Sequence, residues 1–308
     1  MKKETFSIIS EYDALPIAGT VFTPDGFIKG VLQFSHGMCE NRLRYEGVME
    51  FFAQNGYACV IHDHRGHGES VLSSEDFGYF KDTSGTAIVN DLYRVICYSR
   101  ERFPDKPLTL LGHSMGSLVV RKFIQEHDTS IDRLIVCGSP SKNPMAGVGI
   151  FTARVLQLFK GEKYRSHFIE WIATGSGDKR FPDERQKNSW LTRDADIVRE
   201  YNENPTTGFT FTLNGYINLF HLIKDVYRKS LYQVKNPALP IFFIAGSDDP
   251  VIKSPQKWKQ AVDFLKDTGY SHVSSKLYAD MRHEILNEIN KEEVYTDILN
   301  WMSDKPET

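Results

Sequence analysis

The chain has 308 residues, 41% of them hydrophobic and 25% charged, with a formal net charge of -3. That is enough apolar material for a large core without disulfide staples, and an ordinary size for one α/β domain carrying an insertion. The balanced charge, with no lysine/arginine run, excludes the electrostatic footprint of a nucleic-acid partner.

The first residues, "MKKETFSIIS", have a charged start but no apolar core segment, so no signal peptide is expected. No stretch of 18 apolar residues follows, so no membrane span is expected, and the simplest location is cytoplasmic. "TFSIIS" and "LPIAGTVFTP" read as a leading antiparallel pair. Then come short apolar runs: "GVLQFSHG" (30–37), "YACVIHD" (57–63), "PLTLLGHS" (107–114), "RLIVCGS" (133–139), "PIFFIAGS" (240–247) and "SSKLYAD" (274–280). Most end at Gly, Ser or Asp, as buried parallel strands do where they turn into loops. Helix-length segments at 85–102, 115–127, 254–267 and 291–302 lie between or after them. The alternation predicts an α/β fold, a mostly parallel sheet with helices on both faces. Cys39, Cys59, Cys97 and Cys137 are widely spaced, form no CxxC, and read as small hydrophobes in a reduced chain.

The rhythm breaks between 140 and 236. "FTARVLQLF", "HFIEWIA", "WLTRDADIVREY" and "LNGYINLFHLIKDVYRKSLY" read as helices, with Phe151, Val155, Leu158 and Phe159 at helical spacing. The expectation is a core made of 1–139 and 237–308, with 140–236 as a helical lid inserted over the sheet. The lid's aromatic and aliphatic residues would supply some apolar lining for a ligand.

"LLGHSMGS" (110–117) carries the chemistry. A strand, then Gly-x-Ser-x-Gly, then a helix is the arrangement that exposes a serine on a sharp turn. Side chains at the positions of Gly112 and Gly116 would crowd Ser114, and a helix N-terminus beside it favours developing negative charge. A serine needs a base. Of His127, His167, His221, His272 and His283, only His283 lies in a loop following a strand, in "YADMRHEILNE". The acid should end the preceding strand, where "IFFIAGSDDPV" offers Asp248 and Asp249 equally. Backbone donors for an oxyanion would be the N–H groups of Met115 and of Met38, in the loop "HGMCENR". His36 reads as support for that loop.

"HDHRGH" (62–67) matches a zinc spacing, H-x-H-x-x-H. Gly66 stands where such sites usually place an aspartate, so a tight turn is the preferred reading, with Asp63 and Arg65 as a pair and Gly66 and Gly68 bending the chain. No metal is expected.

"FSHGMCENRLRY", "DHRGHGES", "GHSMGS", "GSDDPV" and "MRHEILNE" together resemble the monoacylglycerol lipase and lysophospholipase branch of the α/β-hydrolases, over nearly the whole chain. The resemblance implies an α/β-hydrolase fold with Ser114 as nucleophile and His283 as base. Its G-x-x-D block falls on Gly246 to Asp249, which implies Asp249 as the acid, and it matches Met38 and Met115 to the oxyanion amides. Cys39 stands where relatives often carry a second glycine, which implies an altered angle for the Met38 amide. The implied activity is hydrolysis of a lipid ester, a monoacylglycerol first, through an acyl-enzyme and without cofactor. The alternatives are a lysophospholipid, a general carboxylic ester, an aminopeptidase or thioesterase reaction, and a non-catalytic binding protein. The implied partners are the lipid ester and, through the lid, transient membrane or micelle contact. "GDKRFPDERQ" (177–186) reads as a solvated charged loop.

Overall fold

The computed structural model describes residues 1–174, 177–184 and 186–304. The chain opens with β1 (Lys2–Ile9) and β2 (Pro16–Thr23), an antiparallel pair with Lys2 opposite Thr23. Only part of β1 is shielded, as suits an edge strand. The sheet continues through β3 (Gly30–Ser35), β4 (Tyr57–His62), β5 (Leu108–His113), β6 (Arg133–Cys137), β7 (Ile241–Gly246) and β8 (Val273–Tyr278). The order is β1-β2-β4-β3-β5-β6-β7-β8, antiparallel as far as β4 and parallel from there on. Every residue of β3, β4, β5 and β7 is buried. That is why these strands read as mostly apolar runs rather than as alternating ones.

Adjacent strand residues point to opposite layers, and the two cores divide accordingly. Val31, Leu110, Leu134 and Ile241 pack with α2 (Ala87–Arg102) and α3 (Met115–His127). Leu32, Leu111, Ile135 and Ile244 pack on the other face with α1 (Glu46–Gln54). The sequence reading had no helix at α1. Its buried Val48, Met49, Phe52 and Ala53 do fall at helical spacing, in a run only 9 residues long.

Between β6 and β7 lie α4 (Ala146–Lys160), α5 (His167–Thr174), α6 (Ala195–Glu203) and α7 (Leu213–Asp225), with no strand among the described residues. Two boundaries differ from the sequence expectation. The side chain of Asp194 caps the amides of Asp196 and Ile197, so "WLTRD" stays outside α6. The chain leaves α7 at Asp225, and the residues beyond form a short turn at Lys229–Leu231. Gly149 lets α4 close on the ring of Phe220, since a Cβ there would sit 2.6 Å from it. Ile150, Ala153, Phe211 and Tyr216 belong to the same apolar cluster as Leu110 and Leu118. The insertion therefore shares the core of the sheet's α3 side. After β7, α8 (Pro255–Thr268) joins that side through Ala261 and Leu265, and α9 (Lys291–Ser303) closes the other through Val294 and Ile298. Among the described residues no helix is long and apolar enough to cross a membrane.

Candidate active site

Ser114 stands between β5 and α3 with φ 53° and ψ -117°, a conformation that costs an L-residue about 1–3 kcal/mol. The fold holds it there by three backbone contacts. Its amide donates to the Cys137 carbonyl at 2.9 Å, and its carbonyl accepts from both the amide and the hydroxyl of Ser117. The flanking glycines are required, but not because they would strike the serine. A Cβ on Gly116 would lie 2.0 Å from the Ser35 carbonyl oxygen of β3, and one on Gly112 would lie 2.5 Å from the Gly116 carbonyl oxygen. The glycines let the start of α3 press onto β3 and β5, and the turn follows from that closeness. Met115 is the first residue of α3, so its N–H lies outside the helical ladder, at the positive end of the helix dipole.

The base loop is placed in the same way. A Cβ on Gly246 would fall 2.1 Å from the Met281 carbonyl oxygen, so the end of β7 and the loop after β8 lie against each other. This brings the fully buried Asp249 to His283, with Oδ2 2.9 Å from Nδ1. The other carboxylate oxygen accepts the Val251 amide at 2.8 Å. Asp248 is half exposed and faces Arg180 at 3.9 Å. Of the two aspartates, Asp249 is the buried one that meets the imidazole.

The His283 ring lies among residues that adjoin Ser114 in the chain or in space. It lies against Gly138, where a Cβ would be 3.3 Å from Cε1 and Nδ1, one residue beyond the carbonyl that anchors the Ser114 amide. It also lies 4.8 Å, centroid to centroid, from the ring of His113. The oxyanion loop closes the third side, with Gly37 set so that a Cβ would touch that of Ser114 at 3.2 Å. The amides on either side of Met38 are taken, Gly37 by the Glu40 carboxylate and Cys39 by His67 Nε2. Cys39 has φ 57°, so it keeps the left-handed turn a glycine would make, and its thiol reaches the Phe209 carbonyl at 2.7 Å. All four loops, after β3, β5, β7 and β8, leave the C-terminal ends of parallel strands, where open α/β sheets place their ligand sites.

The remaining histidines have other surroundings. His127 stacks on Tyr93 and Phe123, His167 is solvated beside Glu170, and His221 lies near Arg154. His272 precedes β8, where its carbonyl accepts the Ile241 amide.

The 62–67 histidines line a turn. His64 Nε2 pairs with the Ser35 hydroxyl at 2.9 Å, and His36 Nε2 accepts the His64 amide at 2.9 Å. Gly66 and Gly68 have φ +73° and +50°. The expected Asp63–Arg65 pair does not form. Gly68 folds directly over the Asp63 carboxylate, which binds Arg42 and the Glu69 amide, while Arg65 turns away to Asp91 at 2.7 Å and to Asp13. Among the described residues no group of three or more His, Cys, Asp or Glu side chains is arranged to hold a metal ion.

Several residues around the site had no signal in the sequence reading. Trp190 lies tilted against His283 with ring centroids 5.1 Å apart, and the Leu191 carbonyl accepts the Glu284 amide at 2.7 Å. The 177–186 run, of which Arg185 lies outside the described residues, is more than a solvated loop. Glu184 pairs with Arg282, and Arg180 donates to the Asp249 carbonyl at 3.4 Å. Glu40, Tyr45, His113 and Glu284, all buried, form a polar group with the largely buried Arg44 beside the candidate site. All five stand inside motifs already quoted, but nothing in those motifs joins them to one another.

The sequence profile of the family described as serine aminopeptidase, S33, matches residues 27–290. The chain is 23% identical to the monoacylglycerol lipase of Mycolicibacterium smegmatis, across 92% of this chain and 91% of that one. It is 24% identical to the monoglyceride lipase of Rattus norvegicus, across 87% and 83%. Among solved structures, a thermostable carboxyl esterase from Bacillus coagulans in complex with glycerol superposes with a TM-score of 0.90 at 25% identity, covering 98% of both chains. With the strained serine turn, the Asp249–His283 pair and a family profile spanning most of the sequence, this chain belongs to the serine aminopeptidase S33 family, within the α/β-hydrolases and akin to the monoacylglycerol lipases and lysophospholipases.

Proposed function

We propose that the protein hydrolyses a carboxylic ester of a neutral lipid, a monoacylglycerol above all, with Ser114, His283 and Asp249 as its triad. The observation that supports this most is the buried Asp249–His283 contact beside a serine held in a strained turn. In this reading Ser114 Oγ attacks the ester carbonyl carbon and its proton passes to His283 Nε2. Asp249 holds the imidazole by Nδ1 and balances the charge it gains. The N–H groups of Met38 and Met115 receive the oxyanion. The C–O bond to glycerol breaks as His283 returns the proton to the departing alcohol. Water, deprotonated by His283, then releases the fatty acid from Ser114.

A neutral head group is favoured because the cations nearest the acid and base are already engaged. Arg282 is bound by Glu184 and Arg180 lies on the Asp249 carbonyl and Asp248. The same pairing leaves Glu184 engaged by Arg282 rather than free to hold a peptide's amino terminus. The glycerol in the related carboxyl esterase accords with a glycerol ester.

The helices of 140–236 act as a lid. Phe151, Leu158 and Phe159 of α4 and Trp171 of α5 are 70%, 82%, 80% and 59% exposed. Residues 141–161 include Lys142, Arg154 and Lys160 and no acid. An apolar face with a basic border fits the surface of a lipid aggregate. Assays on monoacylglycerols, lysophosphatidylcholine, p-nitrophenyl butyrate and an aminoacyl anilide test the substrate. The monoacylglycerol should give the highest kcat/KM; a preference for the lysophospholipid or the anilide overturns the assignment. Leu158→Glu combined with Phe159→Glu should lower the rate on dispersed monoacylglycerol by about tenfold or more, equivalent to about 1.4 kcal/mol of lost binding, and leave the soluble butyrate rate unchanged.

A further inference from the structure

His113, the last residue of β5, is buried directly beside Ser114 and takes no part in the proton transfers above. Its Nε2 lies 3.2 Å from the His283 carbonyl oxygen, which can only accept, so Nε2 carries a hydrogen. Nδ1 faces the Tyr45 hydroxyl at 3.2 Å and Glu40 Oε1 at 3.4 Å. The Tyr45 hydroxyl donates its own hydrogen to Glu40 Oε1 at 2.9 Å, so its oxygen is left to accept from Nδ1. Every neighbour of the ring is thus an acceptor, and both nitrogens carry hydrogens.

The surrounding charges balance only with such a ring. Glu40 Oε2 binds Arg44 at 2.7 Å, and Arg44 grips both oxygens of Glu284 at 2.7 and 2.6 Å. Two carboxylates, one guanidinium and one imidazolium sum to zero, whereas a neutral His113 would leave a net negative charge buried among them. The group also ties three loops together. His113 holds the backbone of His283, Arg44 holds the side chain of the next residue, and Glu40 holds the Gly37 amide beside the oxyanion loop.

We propose that His113 is a protonated positioning residue that keeps the His283 loop and the oxyanion loop in register with Ser114, and that losing its proton ends activity on the alkaline side. The proposal rests on the catalytic reading given above. Burial alone would lower the affinity of His113 for its proton, but the hydrogen bond and charge of Glu40 outweigh it and raise the ring above the ordinary histidine range. Burial likewise works against the Glu40 anion, and His113 and Arg44 overcome it, holding its carboxyl well below the usual range. The other titratable groups facing His113 are Tyr45 and His36 on the oxyanion side and His283 and Glu284 on the base side. A raised histidine makes its full contribution below its unfolded value and loses it as pH climbs through the folded one. The effect therefore falls on the alkaline limb.

Kinetics of the wild type, His113→Gln and His113→Ala from about pH 6 to about pH 10, with nitrogen NMR of histidine-labelled wild type, test this. Glutamine can still donate to the His283 carbonyl but carries no charge. At neutral pH it should lower kcat on the order of 10- to 100-fold, change KM by less than about twofold, and flatten the alkaline limb; alanine should lose more. In the wild type both His113 nitrogens should be protonated at neutral pH and lose one proton in step with activity. An alkaline limb unaltered by glutamine, or a neutral His113 ring at neutral pH, overturns the proposal. Where the variants do not fold, the NMR titration decides alone. Should Ser114→Ala remain active, the catalytic reading fails and the positioning role with it, while the protonation state read by NMR still stands on its own.

Discussion

Ser114→Ala should lose turnover by about 10⁶-fold while the protein still folds. The magnitude follows from the division of labour at the site. In the proposed mechanism the hydroxyl is the one protein group that bonds to the acyl carbon, so its removal leaves the two amides and the binding surface to act on a water molecule. That residue of catalysis is worth about 10³-fold over solution. The fold should survive, because the contacts that define the turn are made by backbone atoms of Ser114 and by the hydroxyl of Ser117. Alanine endures the same positive φ as serine, so melting should move by only a few degrees. Retention of wild-type ester turnover by this variant would remove the mechanism.

Asp249→Asn should cost about 10⁴-fold in kcat, and Asp248→Asn no more than about twofold. An asparagine at 249 can present an N–H to His283 Nδ1, which selects the ring form with its hydrogen on Nε2, the wrong form for accepting the serine proton. It also leaves the charged imidazole without a counter-ion at a position with no exposed surface. Asp248 has neither role: its carboxylate is half exposed, and its nearest cation is 3.9 Å away. The paired variants separate the two neighbours by kcat alone. Equal losses would mean that the acid had been placed on the wrong residue.

Much of the fold could be read from the sequence because buried parallel strands leave a plain mark. β3, β4, β5 and β7 are buried from end to end and mostly apolar, and the sequence runs match each to within one or two residues. The positions of Ser114 and His283, as candidates after β5 and β8, stand out for a related reason, since each follows a strand in a turn of distinctive composition. The choice between Asp248 and Asp249 was not legible, since neighbours in a loop differ only in which of them the folded chain buries. The reason for Gly112 and Gly116 was also hidden. It lies in the approach of α3 to Ser35, on a strand 81 positions upstream of Gly116. Arg65 was paired with the wrong acid because residues two apart on a tight turn point in different directions. The group of Glu40, Arg44, His113 and Glu284 draws on three separate stretches of chain, and only the folded molecule brings its charges together.

The central claim is that one serine hydroxyl is made nucleophilic by an imidazole that the fold carries to it from the far end of the chain. Labelling with a fluorophosphonate, followed by peptide mapping of the adduct, tests it most directly. A single phosphonyl group on Ser114, formed in proportion to the loss of ester hydrolysis and greatly slowed in His283→Ala, is the predicted result. Full inhibition with the group on another residue, or labelling of Ser114 at an undiminished rate without His283, would contradict it.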